Sequence, residues 1–310
     1  MNDEVDFKKL ARRVKFRRWL VTIFIAIAVS IGVIVGGYVF SQRLASKASL
    51  STMNLTMDLE TVLSPNIKSS DAYLTDGTFM GGNITSHRYK EIEGYRVAWS
   101  PVKMHFSGVL GNSGFESYNT TDVSKTGVYD RITQQKIPML YNLKADQSQE
   151  VVKAPHELGK VAQSKNMIAE VGITFKRPMT YAQIQAKLPA NLHSEWYWIG
   201  VSGDVATSGL DNNLAGVQAS NSNGKLTNGA YQDFRKAMVK VHKSGIDWSV
   251  GNYSVIKHGT NYVNHHTKLS QAKFAGIIVT GKSENFKAIN GANWIYASSV
   301  GYFEPVKSIH

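Results

Sequence analysis

The sequence predicts an α+β protein: a single N-terminal transmembrane helix, then a strand-rich extracytoplasmic region that closes with a β-α-β, helix, β-α-β domain. Three observations predict it. Trp19–Gln42 is a run of 24 residues without a charge. From residue 72 to 106, short apolar runs alternate with Gly77, Gly81, Gly82 and Gly94. After residue 166, strand-like and helix-like segments follow one another in the order of two split units.

The apolar part of the run, Trp19–Phe40, can cross a hydrocarbon core of about 30 Å at about 1.5 Å per helical residue. Only a helix satisfies its own backbone polar groups in lipid. Trp19, Phe24, Ile34, Tyr38 and Phe40 are the expected anchor residues, with the aromatic pair Trp19 and Tyr38 near the two interfaces. A signal peptide has an apolar core of only about 7–15 residues, so this helix reads as a retained anchor. Seven basic residues (Lys8, Lys9, Arg12, Arg13, Lys15, Arg17, Arg18) precede the run against Asp3, Glu4 and Asp6, and only Arg43 and Lys47 follow closely. The excess predicts a single-pass cell-membrane protein with a cytoplasmic N-terminus and an extracytoplasmic C-terminal region. The expected divisions are a basic tail at 1–18, the helix at 19–42, a membrane-proximal strand-rich region at 43–150 and an α+β domain at 151–310.

Within the tail, Phe7, Leu10 and Val14 fall on one helical stripe, with Arg12, Arg13 and Arg17 around it. Two uses fit. The stripe can lie on anionic lipid, at about 1 kcal/mol per basic side chain near the surface. Alternatively, it can dock a cytoplasmic partner in a groove, with these six residues as the contacts.

The net charge is +12, of which the tail supplies +4 and the rest +8. A basic outer region would be drawn to anionic cell-wall polymer over a Debye length of about 10 Å, or the charge serves solubility alone. Nucleic acid is not expected as a partner, because the large region lies on the wrong side of the membrane. The chain has no cysteine. That suits an exported region of a Gram-positive bacterium, and it excludes thiol catalysis and thiolate metal sites.

Gln42–Met53 is small and polar and continues the anchor as a stalk. Leu55, Leu59, Val62 and Leu63 keep helical spacing until Ser64-Pro65-Asn66 ends it. Tyr95–Trp99 and Val102–Phe106 read as short strands, and Gly108–Asp122 as a long loop. Glu150–Lys165 is a weakly helical connector. Met167–Phe175 is a strand rich in β-branched residues. Thr180 and Gln183 form a capping box for a helix at Tyr181–Leu188, closed by Pro189. Trp196–Val201 is a second strand, and Gly209–Asn228 a loop. Ala230, Phe234, Ala237, Met238 and Val241 mark one face of a helix that Gly245 stops. Phe274–Thr280 is a strand, Ser283–Ile289 a short capped helix and Trp294–Phe303 a last strand. Gly172-Ile-Thr-Phe and Gly276-Ile-Ile-Val open segments of similar pattern, consistent with an internal duplication.

Catalytic signatures are missing. Ser100-Pro-Val-Lys103, Ser270-Gln-Ala-Lys273 and Lys125-Thr-Gly127 stand in the wrong order for a penicillin-binding site, and there is no G-x-S-x-G elbow. His258, His265 and His266 lack metal-binding spacing and read as surface loop residues. Trp196-Tyr197-Trp198 reads as packing, with a sugar-stacking platform as the alternative. Neither phosphate loop nor dinucleotide fingerprint is present, so an enzyme, a cofactor and a metal are not expected.

The opening Phe7-Lys-Lys-Leu-Ala-Arg-Arg-Val-Lys15 before the anchor, Leu63-Ser-Pro-Asn66 with Phe79-Met-Gly-Gly82, and Met167–Phe175 with Met179–Ile184 form a recurring set of signature words. Trp196-Tyr-Trp-Ile-Gly200, Gly276–Gly281 and Ala297–Gly301 complete it. In these the chain resembles the sigma factor regulator proteins of Firmicutes. The resemblance implies a membrane anti-sigma factor, or an accessory sensor, of an extracytoplasmic-function sigma factor, with an outer domain that binds a ligand or partner. It also implies a larger inner domain than the 18 residues before Trp19. That difference argues against direct sequestration and leaves a partner-binding tail, or a sensor without an output domain. The alternative is an envelope-binding or scaffold protein with no transcriptional role.

Overall fold

The computed structural model describes residues 3–145, 153–220 and 223–306. Met1 and Asn2 of the tail, and the expected division between 150 and 151, lie outside the described residues.

Helix α1 (Asp3–Val62) is unbroken and about 90 Å long at about 1.5 Å per residue. Among the described residues it is the one helix long and apolar enough to cross a membrane. The apolar run and the expected stalk are therefore one element, in two regimes. From Phe7 to Phe40 every side chain is exposed. From Ser41 onward one face turns inward: Ala45, Thr52, Leu55, Thr56, Leu59 and Val62 are buried at spacings of three and four. Asn119 Nδ2 donates to the carbonyl of Leu63 at 2.7 Å, capping the helix end.

The first sheet contains β1 (Lys68–Ser69), β2 (Tyr73–Thr75), β3 (Gly81–Ile92), β4 (Tyr95–Ser107) and β5 (Gly111–Ser117), in the order β1-β3-β4-β5 with β2 also on β3. Glu93 and Gly94, at φ 49° and 83°, join β3 to β4. Two positive φ values make a type I′ turn, whose twist matches the strands it joins. The two short runs expected around Pro101 are a single strand. Ser86 pairs with Val102 and Arg88 with Trp99, so Ser100 and Pro101 together face His87. A bulge is where a ladder tolerates a proline. The predicted loop Gly108–Asp122 is also corrected. It holds β5 and the start of β6 (Thr121–Ser124), which pairs with β7 (Gly127–Asp130). Its small polar residues lie on an edge strand and a two-stranded ribbon, which need little apolar content.

The C-terminal region contains α2 (Leu158–Gln163), β8 (Met167–Thr180), α3 (Tyr181–Gln185), β9 (His193–Trp198), β10 (Gly216–Gln218), α4 (Asn228–Ser244), β11 (Ser249–Val250), β12 (Tyr253–Ser254), α5 (Val255–His265), β13 (Lys273–Lys282) and β14 (Ile295–Pro305). Its sheet runs β10-β9-β13-β8-β14, antiparallel throughout. β8 and β9 both oppose β13 and so are parallel to each other. β13 and β14 are likewise parallel across β8. Each β-α-β unit thus encloses a strand of the other, the split arrangement of ferredoxin-like folds.

The capping box is present: Thr180 and Gln183 exchange hydrogen bonds at both ends. Gly245 ends α4 at φ 80°. The helix expected to Leu188 stops at Gln185, and the second strand starts at His193 rather than Trp196. The segment after β13 is a 3-10 helix, Ser283–Ala288, without a side-chain cap. The hydroxyl of Ser283 donates instead to Ser164 O at 3.1 Å. The loop expected at Gly209–Asn228 contains β10.

One face of this sheet receives an irregular segment. A Cβ on Gly172 would come 2.9 Å from Met139 O, on Gly276 2.9 Å from Leu140 Cδ2 and on Gly301 2.6 Å from Pro138 Cδ. Glycines on three adjacent strands therefore let the chain at 138–140 cross close to the sheet. Gly172 and Gly276, the paired positions of the suspected duplication, do the same work on neighbouring strands.

Candidate functional site

A cleft of about 710 Å³ opens where the two regions meet beside the C-terminal part of α1. Met53, Met57 and Glu60 come from α1, residues 67–72 from β1 and its exit, Val217 and Gln218 from β10, and Asp233 and Phe234 from α4. The Met and Phe side chains form an apolar wall. Both amide atoms of Gln218, and Oε1 of Glu60, are buried there with no hydrogen-bond partner among the described residues. Such groups are costly to leave unpaired, so a site that keeps three of them suits a ligand that supplies the partners. Burial raises the Glu60 carboxyl above its usual range, against the opposing pull of Ser86 and Arg88.

The cleft is also bordered by two sheet edges. Ala219 N donates to Glu195 O, so alternation along the ladder turns the peptide groups of Gly216 and Gln218 away from β9. Ser70 N donates to His87 O, which likewise turns the peptide group of Ser69 outward from β1. An extended chain in the cleft would find backbone donors and acceptors on both sides.

Buried charges fix the two regions around it. Glu170 on β8 and Lys90 on β3 are both fully buried, and Lys90 Nζ donates to both carboxylate oxygens at 2.9 Å. Asn66 Nδ2 adds a bond at 2.7 Å, and Lys90 Nζ lies 4.2 Å from the Trp99 ring centre. A second tie lies at the β3–β4 turn. Glu93 Oε1 is 3.0 Å from His193 Nδ1 and accepts from Thr280 Oγ1 at 3.1 Å. Nearby, Glu195 is buried and its pKa is pushed up to about 8, chiefly by desolvation, with Lys68 opposing and Glu93 adding to the shift.

The tail residues Phe7, Leu10, Arg12, Arg13, Val14 and Arg17 all lie exposed on the first turns of α1, and the expected anchor residues Trp19, Phe24, Ile34, Tyr38 and Phe40 are exposed along it. Trp196, Tyr197 and Trp198 are all buried, so they pack the core and form no stacking platform. The three histidines are corrected from surface loop to helix: His258 and His265 lie on α5 and His266 caps it. Burial lowers the pKa of His258. The cleft residues carry no local signal, because Glu60 and Gln218 are brought together only by the tertiary fold. Glu170 did carry one, a charge inside the otherwise apolar run Met167–Phe175.

The family model described as Sigma factor regulator N-terminal matches residues 8–97, and the one described as Sigma factor regulator C-terminal matches residues 160–302. No curated protein and no solved structure matches the chain.

Proposed function

The chain belongs to the sigma factor regulator family, and from that premise we propose a single-pass membrane regulator that reports an outer binding event to a sigma factor inside. Its role as a sigma factor regulator is that of an anti-sigma factor. The finer reading places the N-terminus in the cytoplasm, because the basic residues gather before the apolar run. It assigns sigma-factor contact, direct or through a membrane co-regulator, to the stripe of Phe7, Leu10 and Val14 with Arg12, Arg13 and Arg17. The outer ligand is an extended peptide segment of a partner, paired along β10 and met by the unpartnered atoms of Gln218 and Glu60.

The single observation behind this reading is the continuity of α1. The helix that carries the tail and the apolar run also supplies Met53, Met57 and Glu60 to the cleft. Occupation of the cleft therefore bears on the same rigid element that enters the membrane. The test is co-purification of a sigma factor with the full-length protein from detergent extracts, comparing wild type with Leu10→Asp/Val14→Asp. Loss of the sigma factor in the variant, with unchanged membrane abundance, supports the reading. Unaltered sigma-dependent transcription on deletion of the gene overturns it.

A further inference from the structure

The lower edge of the first sheet carries three large apolar side chains in the open: Phe79, Val109 and Leu110 are 55%, 69% and 77% exposed. The two loops that hold them are joined, since Gly108 N donates to Met80 O at 2.6 Å. They also grip α1 at a defined height. Gly108 sits so close to the helix that a Cβ there would lie 2.9 Å from Ala45 N. The Phe79 ring lies 5.8 Å from that of Tyr38, and Phe79 O accepts from Gln42 Nε2 at 3.3 Å.

Direction follows from two contacts along β4. Met104 Sδ meets Thr56 Oγ1 at 3.5 Å, and Gly108, four residues on, meets Ala45. The strand therefore descends along α1 toward the apolar run, and the tip at 109–110 points the same way. Ala45 is five residues past Phe40, about 7.5 Å along the helix. That is about the thickness of one headgroup layer. Tyr38, which Phe79 touches, lies within the apolar run itself. Exposed Arg43 stands at the height where lipid phosphates would lie.

We propose that the loops 76–80 and 108–110 insert into the outer leaflet, so that the first sheet rests on the bilayer through Phe79, Val109 and Leu110. The occupant of this apolar edge is lipid, because the edge continues the surface of the spanning helix with no gap between them. Side chains of this kind bury at the boundary of headgroups and acyl chains. The inference rests on the reading of α1 as a membrane-spanning helix.

The absence of cysteine makes the test direct. Full-length Leu110→Cys, Phe79→Cys and Ile31→Cys, each labelled with an environment-sensitive fluorophore, are reconstituted in vesicles doped with nitroxide lipids. The expected result is loss of emission at 110 and 79 with nitroxides near the headgroup, and at 31 with nitroxides deep in the acyl chains. Quenching at 31 with none at 110 or 79 overturns the proposal and leaves the anchor standing. No quenching at 31 removes the spanning reading, and this proposal with it.

Discussion

Glu170 lies in a strand whose neighbours are apolar on both faces, and Lys90, Asn66 and the amide of Tyr302 converge on it. A pair so deeply buried gains little over an apolar pair of the same shape, but either member alone is a serious liability. Glu170→Leu should destabilise the protein by about 3–5 kcal/mol, since Lys90 is left buried and unpaired. Glu170→Leu with Lys90→Met should recover most of that, as read by urea denaturation of the detergent-solubilised chain. Glu195 gives a different signature. Its carboxyl rises from 4.5 to about 8 on folding, so the folded chain keeps a proton that the unfolded chain has lost. That stabilisation is full below about pH 4.5 and is lost as pH rises toward 8. Glu195→Gln should therefore unfold at a higher temperature than wild type near about pH 9 and at nearly the same temperature near about pH 4, in thermal scans at the two values.

At the scale of elements, Thr180→Ala removes one half of a capping box and should cost about 1 kcal/mol, read from the shift in unfolding midpoint. This helix start was legible because a cap is a local bargain between residues three apart. So were β8 and the stop at Gly245. α5 was not, because Val-Ile-Lys-His-Gly-Thr-Asn-Tyr-Val-Asn-His is a poor helix former by propensity. It is helical because Val255, Ile256, Tyr262 and Val263 are buried and Gly259 admits the Met238 side chain of α4, whose Cε would lie 2.5 Å from a Cβ there. β10 was hidden for a similar reason, being three residues that count as a strand only beside Trp196–Trp198. For α1, the exposed Lys47 lies between Ala45, against which Gly108 packs, and the buried face that continues from Thr52. Lys47→Pro breaks the helix there at a cost of about 3 kcal/mol. If α1 carries the signal, this variant should still bind its sigma factor and its outer ligand but lose the dependence of one on the other. A sigma-dependent reporter checks this.

Over the whole molecule, the cleft is the feature least visible in sequence. Its walls come from positions near 60, 70, 218 and 234, and no period or motif connects them. Ala219→Trp should fill it and abolish any response to outer ligand while leaving abundance and membrane placement unchanged, as read by the same reporter. The uninterrupted α1 has a mechanical consequence as well. From Tyr38, the lowest point at which the strand-rich body touches it, to Phe7 is about 46 Å of rigid rod at about 1.5 Å per residue. A tilt of one degree in the strand-rich body, pivoting at that contact, swings the far end by about 0.8 Å. The helix is then a lever with a heavily clasped C-terminal arm and a long free N-terminal arm. Rearrangements too small to alter the outer fold are magnified at the end where a sigma factor would be met.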